Sequence, residues 1–239
     1  MGVVRSMVLY GAPVWSNDLA GASSCKALLR SLQRLMAIRV VRGYRTILFE
    51  AATVLARHPP FDILADMDAM VYDQVRSVGR NGEEAAPDHE PGMLRRNAHT
   101  QALRAWQARL VIQGCASQRA VGAVLPSFEA WVGRNDCVTY RLTQMLTGHG
   151  CFGEYLNRIG REATAQCHHC GSDRDSAQHT LEDCPAWESE RRVLVGQIGR
   201  NLSPPALIAA MLASGEGWAA AVSFCEDVML QKEAAERDR

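Results

Sequence analysis

The sequence predicts a mainly α protein: a bundle of helices, a further helical stretch after a break, and one small metal-stapled knuckle. Three observations lead there. Apolar residues recur at three- and four-residue spacing in segments bounded by Gly and Pro, which is the signature of amphipathic helices. Strict apolar–polar alternation, the mark of a strand, is scarce. Late in the chain, Cys167, Cys170, His179 and Cys184 stand at C-x2-C-x8-H-x4-C spacing, which suits one tetrahedral Zn²⁺ held by three thiolates and one imidazole.

Taken in order, residues 3–15 form a short apolar element, helix or strand, broken at Gly11-Ala12-Pro13. A chain that opens inside such an element is expected to be part of a longer one. Residues 24–42 make the clearest helix, capped by Ser23 or Ser24, with Leu28, Leu32, Leu35 and Ile38 as the expected inward stripe. Lys26, Arg30 and Arg34 stand four apart on another face, and Arg39, Arg42 and Arg45 continue the basic run. Like charges at that spacing repel, so a one-signed stripe is expected to face phosphates, or else solvent or the acidic block downstream.

A helix over 47–57 stops at Pro59-Pro60, and another over 61–78 turns Ile63, Leu64, Met67, Val71 and Val75 inward and Asp62, Asp66 and Asp73 outward. Residues 79–92 hold three Gly, two Pro and four acids, an exposed linker and a domain boundary. A second basic helix covers 93–114, with Trp106 expected in the core. A mixed region over 115–133 precedes a helix over 136–147 that ends at Gly148-His149-Gly150, and a short segment from Phe152 to Ile159 leads to the knuckle. Helices over 186–199 and 204–213 and a last one from about Trp218 complete the chain. The domains so read are 1–78, the linker 79–92, a helical region 93–160, the knuckle with its following helix 161–200, and C-terminal helices 201–239.

At the knuckle, Gly171 allows the backbone to bend after the first ligand pair. Cys184 precedes Pro185, which disfavours helical geometry at Cys184 and opens a helix after it. The thiolate there would sit at a helix N-terminus, where negative charge is favoured. His168 and His169 are alternative ligands to His179. With four protein donors no position is left for a catalytic water, so a zinc hydrolase is the weakest reading.

The chain of 239 residues has no net charge, yet the charge is segregated: residues 1–50 carry seven basic and two acidic groups, 51–92 three and eight, 93–166 nine and four, and 167–239 seven and twelve. Such alternation fits a polyanion that touches only part of the surface. All basic residues but Lys26 and Lys232 are Arg, the better phosphate fork. Of the eight cysteines, Cys25, Cys115, Cys137 and Cys225 read as buried thiols in a reducing compartment. No apolar run is long enough to span a bilayer.

Three stretches together resemble the C-terminal part of the reverse transcriptase of arthropod non-LTR retrotransposons, specifically the type-1 elements that insert into ribosomal DNA. They are Leu9-Tyr10-Gly11-Ala12-Pro13-Val14-Trp15 with Gln33-Arg34 and Val41-Arg42-Gly43-Tyr44-Arg45-Thr46 after it; Leu146-Thr147-Gly148-His149-Gly150-Cys151-Phe152 with Tyr155-Leu156; and the CCHC knuckle with His179-Thr180-Leu181 and Cys184-Pro185. The resemblance implies that residues 1–78 are a thumb-like helical region gripping a primer–template duplex, with Lys26, Arg30, Arg34, Arg42 and Arg45 as the contacts. It implies that 93–200 bind template RNA or target DNA, and that the remainder of the Pol polyprotein is a partner in the nucleus. The parent would be an RNA-directed DNA polymerase with an endonuclease. Two-metal nucleotidyl transfer needs carboxylates to hold Mg²⁺, and this chain has no Asp-Asp pair. So no catalytic residue is expected, structural Zn²⁺ is the expected cofactor, and Mg²⁺ belongs to the parent's polymerase domain. The competing readings are a zinc-stapled protein-interaction module and an inactive relic of the element.

Overall fold

The structure, a computed structural model, describes residues 2–19, 21–81 and 91–239. The described residues are mainly helical and contain no strand. Helices α1 (Gly2–Val8), α2 (Ala12–Leu19), α3 (Ser23–Val40), α4 (Phe49–Leu55), α5 (Phe61–Asn81) and α6 (Pro91–Ile112) are followed by α7 (Arg119–Val124), α8 (Phe128–Gly133), α9 (Tyr140–Thr147), α10 (Gly153–Arg158), α11 (Glu188–Ile198), α12 (Pro204–Ala213) and α13 (Gly215–Arg237). Most of the expected linker, residues 82–90, lies outside the described residues; its two ends belong to α5 and α6. No helix among the described residues is long and apolar enough to cross a membrane.

The chain packs as two compact units, one of residues 1–36 and 58–114 and one of residues 37–57 and 115–239. In the first, Phe61, Leu64 and Met67 of α5 and Leu94, Ala98, Trp106 and Leu110 of α6 are buried, and Arg109 pairs with Asp62 at 2.8 Å. Trp106 is core, as its place in the apolar stripe of α6 predicts.

The face of α3 is a correction. Ile38 is buried, but Leu28, Leu32 and Leu35 are 71%, 42% and 52% exposed. The packed face runs through Gln33, only 1% exposed. Its amide nitrogen donates to the Pro59 carbonyl at 2.7 Å, and its amide oxygen accepts from the Phe61 N–H at 2.9 Å. The first N–H groups of a helix have no partner within it, so a side-chain acceptor at the start of α5 outweighs another buried leucine. Lys26 and Arg30 are half-buried on that side, lining one small cavity with Asp62. Asp62 is therefore not outward, and burial together with Asp62 raises the pKa of Asp66 while Arg109 and Lys26 oppose the rise. Val75, expected inward, is 43% exposed. Cys25 and Cys137, expected buried, are exposed; Cys115 and Cys225 are buried.

In the second unit, α13 is the central element, packed on α9, α11 and α12. Ser214 caps it by accepting from the Gly217 N–H at 2.9 Å. Arg141 of α9 joins Glu226 (2.7 Å) and Glu233 (2.8 Å) of α13. Trp131 is fully buried and donates its indole N–H to the Val54 carbonyl at 2.9 Å.

Candidate metal centre

The ligand atoms of Cys167, Cys170, His179 and Cys184 all lie within 4.8 Å of one another. Cys167 Sγ and Cys184 Sγ are 3.9 Å apart, and Cys170 Sγ and His179 Nε2 are 3.3 Å apart. Tetrahedral Zn–S and Zn–N bonds of ordinary length put such donors about 3.5–3.8 Å apart. The donor set therefore fits a metal ion such as zinc with little adjustment. His168 and His169 lie outside the cluster: His168 Nε2 sits 3.5 Å from Glu162, and the His169 ring packs 4.7 Å from that of Trp187.

Local backbone chemistry builds this geometry. Gly171 takes φ +77° and donates its N–H to the Cys167 carbonyl at 2.8 Å, closing the first ligand turn. The Cys167 N–H bonds the Ser172 carbonyl at 2.8 Å. On the other side, His179–Asp183 form one wide π-helical turn, closed by the Cys184 N–H on the His179 carbonyl at 2.8 Å; such turns recur at functional sites. Cys184 leaves in extended geometry, and Pro185–Trp187 begin a 3₁₀ turn that runs into α11. Arg191 of α11 locks the turn, donating to the carbonyls of Cys184 (2.6 Å) and Leu181 (2.9 Å).

Electrostatics sets the condition under which these thiols ionise. Burial pushes the Cys184 thiol up to about 12, with Cys167 nearby adding to the rise and the Ala186 N–H opposing it. Burial likewise raises Cys167, against N–H groups of His169 and Cys170. Those N–H groups favour thiolates, but several buried thiolates coexist only around a positive ion.

Beneath the knuckle lies a feature that sequence reasoning missed. Asp175 is 3% exposed and forms a two-oxygen ion pair with Lys232 of α13, at 2.8 and 2.9 Å, where Lys232 is 2% exposed. The same carboxylate accepts from the Gly153 N–H (3.0 Å) and the Thr180 hydroxyl (3.2 Å). A Cβ at Gly153 would stand 2.6 Å from the Gln166 carbonyl oxygen, so only glycine permits this approach. The available signal was slight: Lys232 is one of two lysines in an arginine-rich chain, four and three positions after the apolar Val228 and Met229.

The Gly148-His149-Gly150 stretch is a helix stop. Gly148 caps α9 in left-handed geometry (φ +71°), and Gly150 packs so closely on Gln144 that a Cβ would meet Oε1 at 2.1 Å. This sets the His149 ring against Tyr155, 4.8 Å between centroids and 24° between planes. Of the expected nucleic-acid contacts, Lys26, Arg30 and Arg34 lie half-buried on α3 in the first unit, while Arg42 (φ 52°) and Arg45 are exposed in the second. The five are thus split between two units.

The chain is similar to the retrovirus-related Pol polyprotein of type-1 retrotransposable element R1 4 of Nasonia vitripennis, 30% identical over 92% of this chain and 56% of that protein. It is 27% identical to the putative 115 kDa protein in type-1 retrotransposable element R1DM of Drosophila melanogaster, over 98% of this chain and 23% of that protein. Against the Pol polyprotein of element R1 of Bradysia coprophila it is 25% identical, over 80% of this chain and 19% of that protein. It thus spans about half or less of the length of these relatives and matches their C-terminal part. No protein-family model matches the chain, and no solved structure does.

Proposed function

We propose that this chain, a homologue of the C-terminal part of the Pol polyproteins of type-1 retrotransposable elements, is a nucleic-acid-binding segment of such a polyprotein, stapled by one structural Zn²⁺ on Cys167, Cys170, His179 and Cys184. The observation that carries the reading is the meeting of these four donors within 4.8 Å in a chain with these relatives. Zinc holds the turn around residues 167–184 in one shape. Side chains near it then meet phosphates and unpaired bases. Lys26, Arg30, Arg34, Arg42 and Arg45 add phosphate contacts. The parent is an RNA-directed DNA polymerase with an endonuclease, its Mg²⁺ held in its polymerase domain. Its partners are template RNA, target DNA and the rest of the polyprotein, in the nucleus. This segment itself supplies binding and no catalytic group.

A second reading, a zinc-stapled protein-interaction module, is favoured by specific observations: residues 167–239 carry twelve acids against seven bases, and Leu28, Leu32 and Leu35 of α3 are exposed. The test measures zinc content by mass spectrometry and nucleic-acid binding by fluorescence anisotropy on the same preparation. One zinc per chain and binding to structured RNA or primer–template duplex that weakens as salt rises support the first reading. One zinc with no binding at low salt leaves the interaction module. A folded chain without zinc removes both.

A further inference from the structure

A cleft of about 520 Å³ opens in the second unit beside the knuckle, and residues 176–178, which lead into His179, form part of its wall. Its size is that of a small-molecule site, roughly 300–1,000 Å³. Arg119, Arg158 and Arg174 line it against a single carboxylate, Glu154. Arg174 pairs with Glu154 at 2.8 Å. Arg119 donates to the Met145 carbonyl at 3.1 Å and to the Gln178 amide oxygen at 2.7 Å. Arg158 lies 5.2 Å over the Tyr155 ring and has no ion pair or hydrogen bond among the described residues.

His149 gives the cleft an aromatic plate. Its ring is backed by Tyr155, and its Nδ1 meets the Thr46 hydroxyl at 3.0 Å, which in turn meets the Tyr155 hydroxyl at 2.8 Å. Burial, and then Arg158, hold its pKa down to about 4, so the plate is neutral at pH 7. Gln118 also lines the cleft, and its side-chain oxygen is enclosed without a hydrogen-bond partner. An enclosed acceptor is unfavourable until a donor reaches it. An open guanidinium matches phosphate, a neutral ring matches a base face, and an amide acceptor matches the exocyclic amine of adenine or cytosine. A bare anion would use only the first of these, and an apolar ligand none.

We infer that this cleft takes one unstacked nucleotide of a single strand, its phosphate on Arg158, its base against His149 and its amine edge toward Gln118. The inference rests on the nucleic-acid reading above and assigns it a binding subsite. The experiment titrates the full zinc-loaded chain with labelled short oligo(dA), oligo(dT) and a duplex of the same length, then competes the oligo(dA) with AMP or with inorganic phosphate. The expected result is tighter binding of oligo(dA) than oligo(dT), displacement by AMP at concentrations where phosphate has no effect, and a loss of about tenfold in oligo(dA) affinity for Arg158→Gln and for His149→Ala. His149→Phe, which keeps a ring, should restore most of it; failure of that rescue with unchanged thermal stability overturns the stacking role. Single-strand binding that is indifferent to Arg158→Gln, or phosphate competing as well as AMP, overturns the inference and leaves the broader reading intact. No binding of any strand by the wild type sinks both.

Discussion

The knuckle and the basic helix α3 were read from equally plain sequence patterns, and they fared differently. At the knuckle the four donors come together as their spacing requires. On α3 the helix is where periodicity puts it, but three of the four stripe residues, Leu28, Leu32 and Leu35, face outward and Gln33 faces in. A ligand set is constrained by local geometry, because two short turns must aim donors at one point. A helix face is constrained only by what lies against it. Leu28 and Leu29 are neighbours, as are Leu32 and Gln33 and then Leu35 and Met36. Two overlapping faces were therefore available, and hydrophobicity alone favoured the one that the fold leaves exposed.

The largest expected effect in that contrast comes from loading the candidate site with zinc and then taking the metal away. Structural zinc contributes on the order of 10 kcal/mol in isolated fingers, so Cys184→Ser or a chelator should abolish stable structure over residues 165–187. Amide hydrogen exchange should show this stretch losing protection while α5 and α6 keep theirs. Equal loss in both would mean that the knuckle does not stand on local geometry.

Next comes the ion pair beneath it. Lys232→Met leaves Asp175 buried without its partner and should cost about 3–5 kcal/mol in urea unfolding. Lys232→Met combined with Asp175→Asn should recover a substantial part, because the strandable charge is gone; a double variant as unstable as the single one would point to packing instead.

His149 provides a pH signature of intermediate size. Its folded-state pKa is depressed from the ordinary 6.5 to about 4, so the unfolded chain binds the extra proton first. The stability from the neutral imidazole is complete above about 6.5 and is lost as pH falls toward 4. Unfolding curves at steps between pH 7 and 4 should decline more steeply for the wild type than for His149→Gln; parallel curves would show a ring more open to water than the structure has it. At the nearby helix stop, Gly150→Ala should cost about 1–3 kcal/mol, since its Cβ meets Gln144 Oε1 at 2.1 Å.

The smallest expected effect is the sharpest test of α3. Leu28→Gln should change stability by no more than about 0.5 kcal/mol, because the side chain is 71% exposed. A loss of about 2 kcal/mol or more in urea unfolding would restore the stripe read from the sequence.

Helix after helix was legible because Pro and Gly punctuate the chain where backbone chemistry demands it. Ser203-Pro204 opens α12, Pro185 precedes α11, and Gly148 closes α9. The ligand spacing and the resemblance to type-1 element Pol proteins were likewise carried by consecutive residues, so no long-range information was needed to find them. What only the tertiary structure decided was pairing across distance. Asp175 meets Lys232 from fifty-seven positions away, Thr46 meets His149 from one hundred and three, and Gln33 meets the start of α5. Asp175, Lys232 and Gln33 are stable inside only because a partner from elsewhere satisfies them, and a linear pattern of apolar and polar residues does not carry the partner's identity.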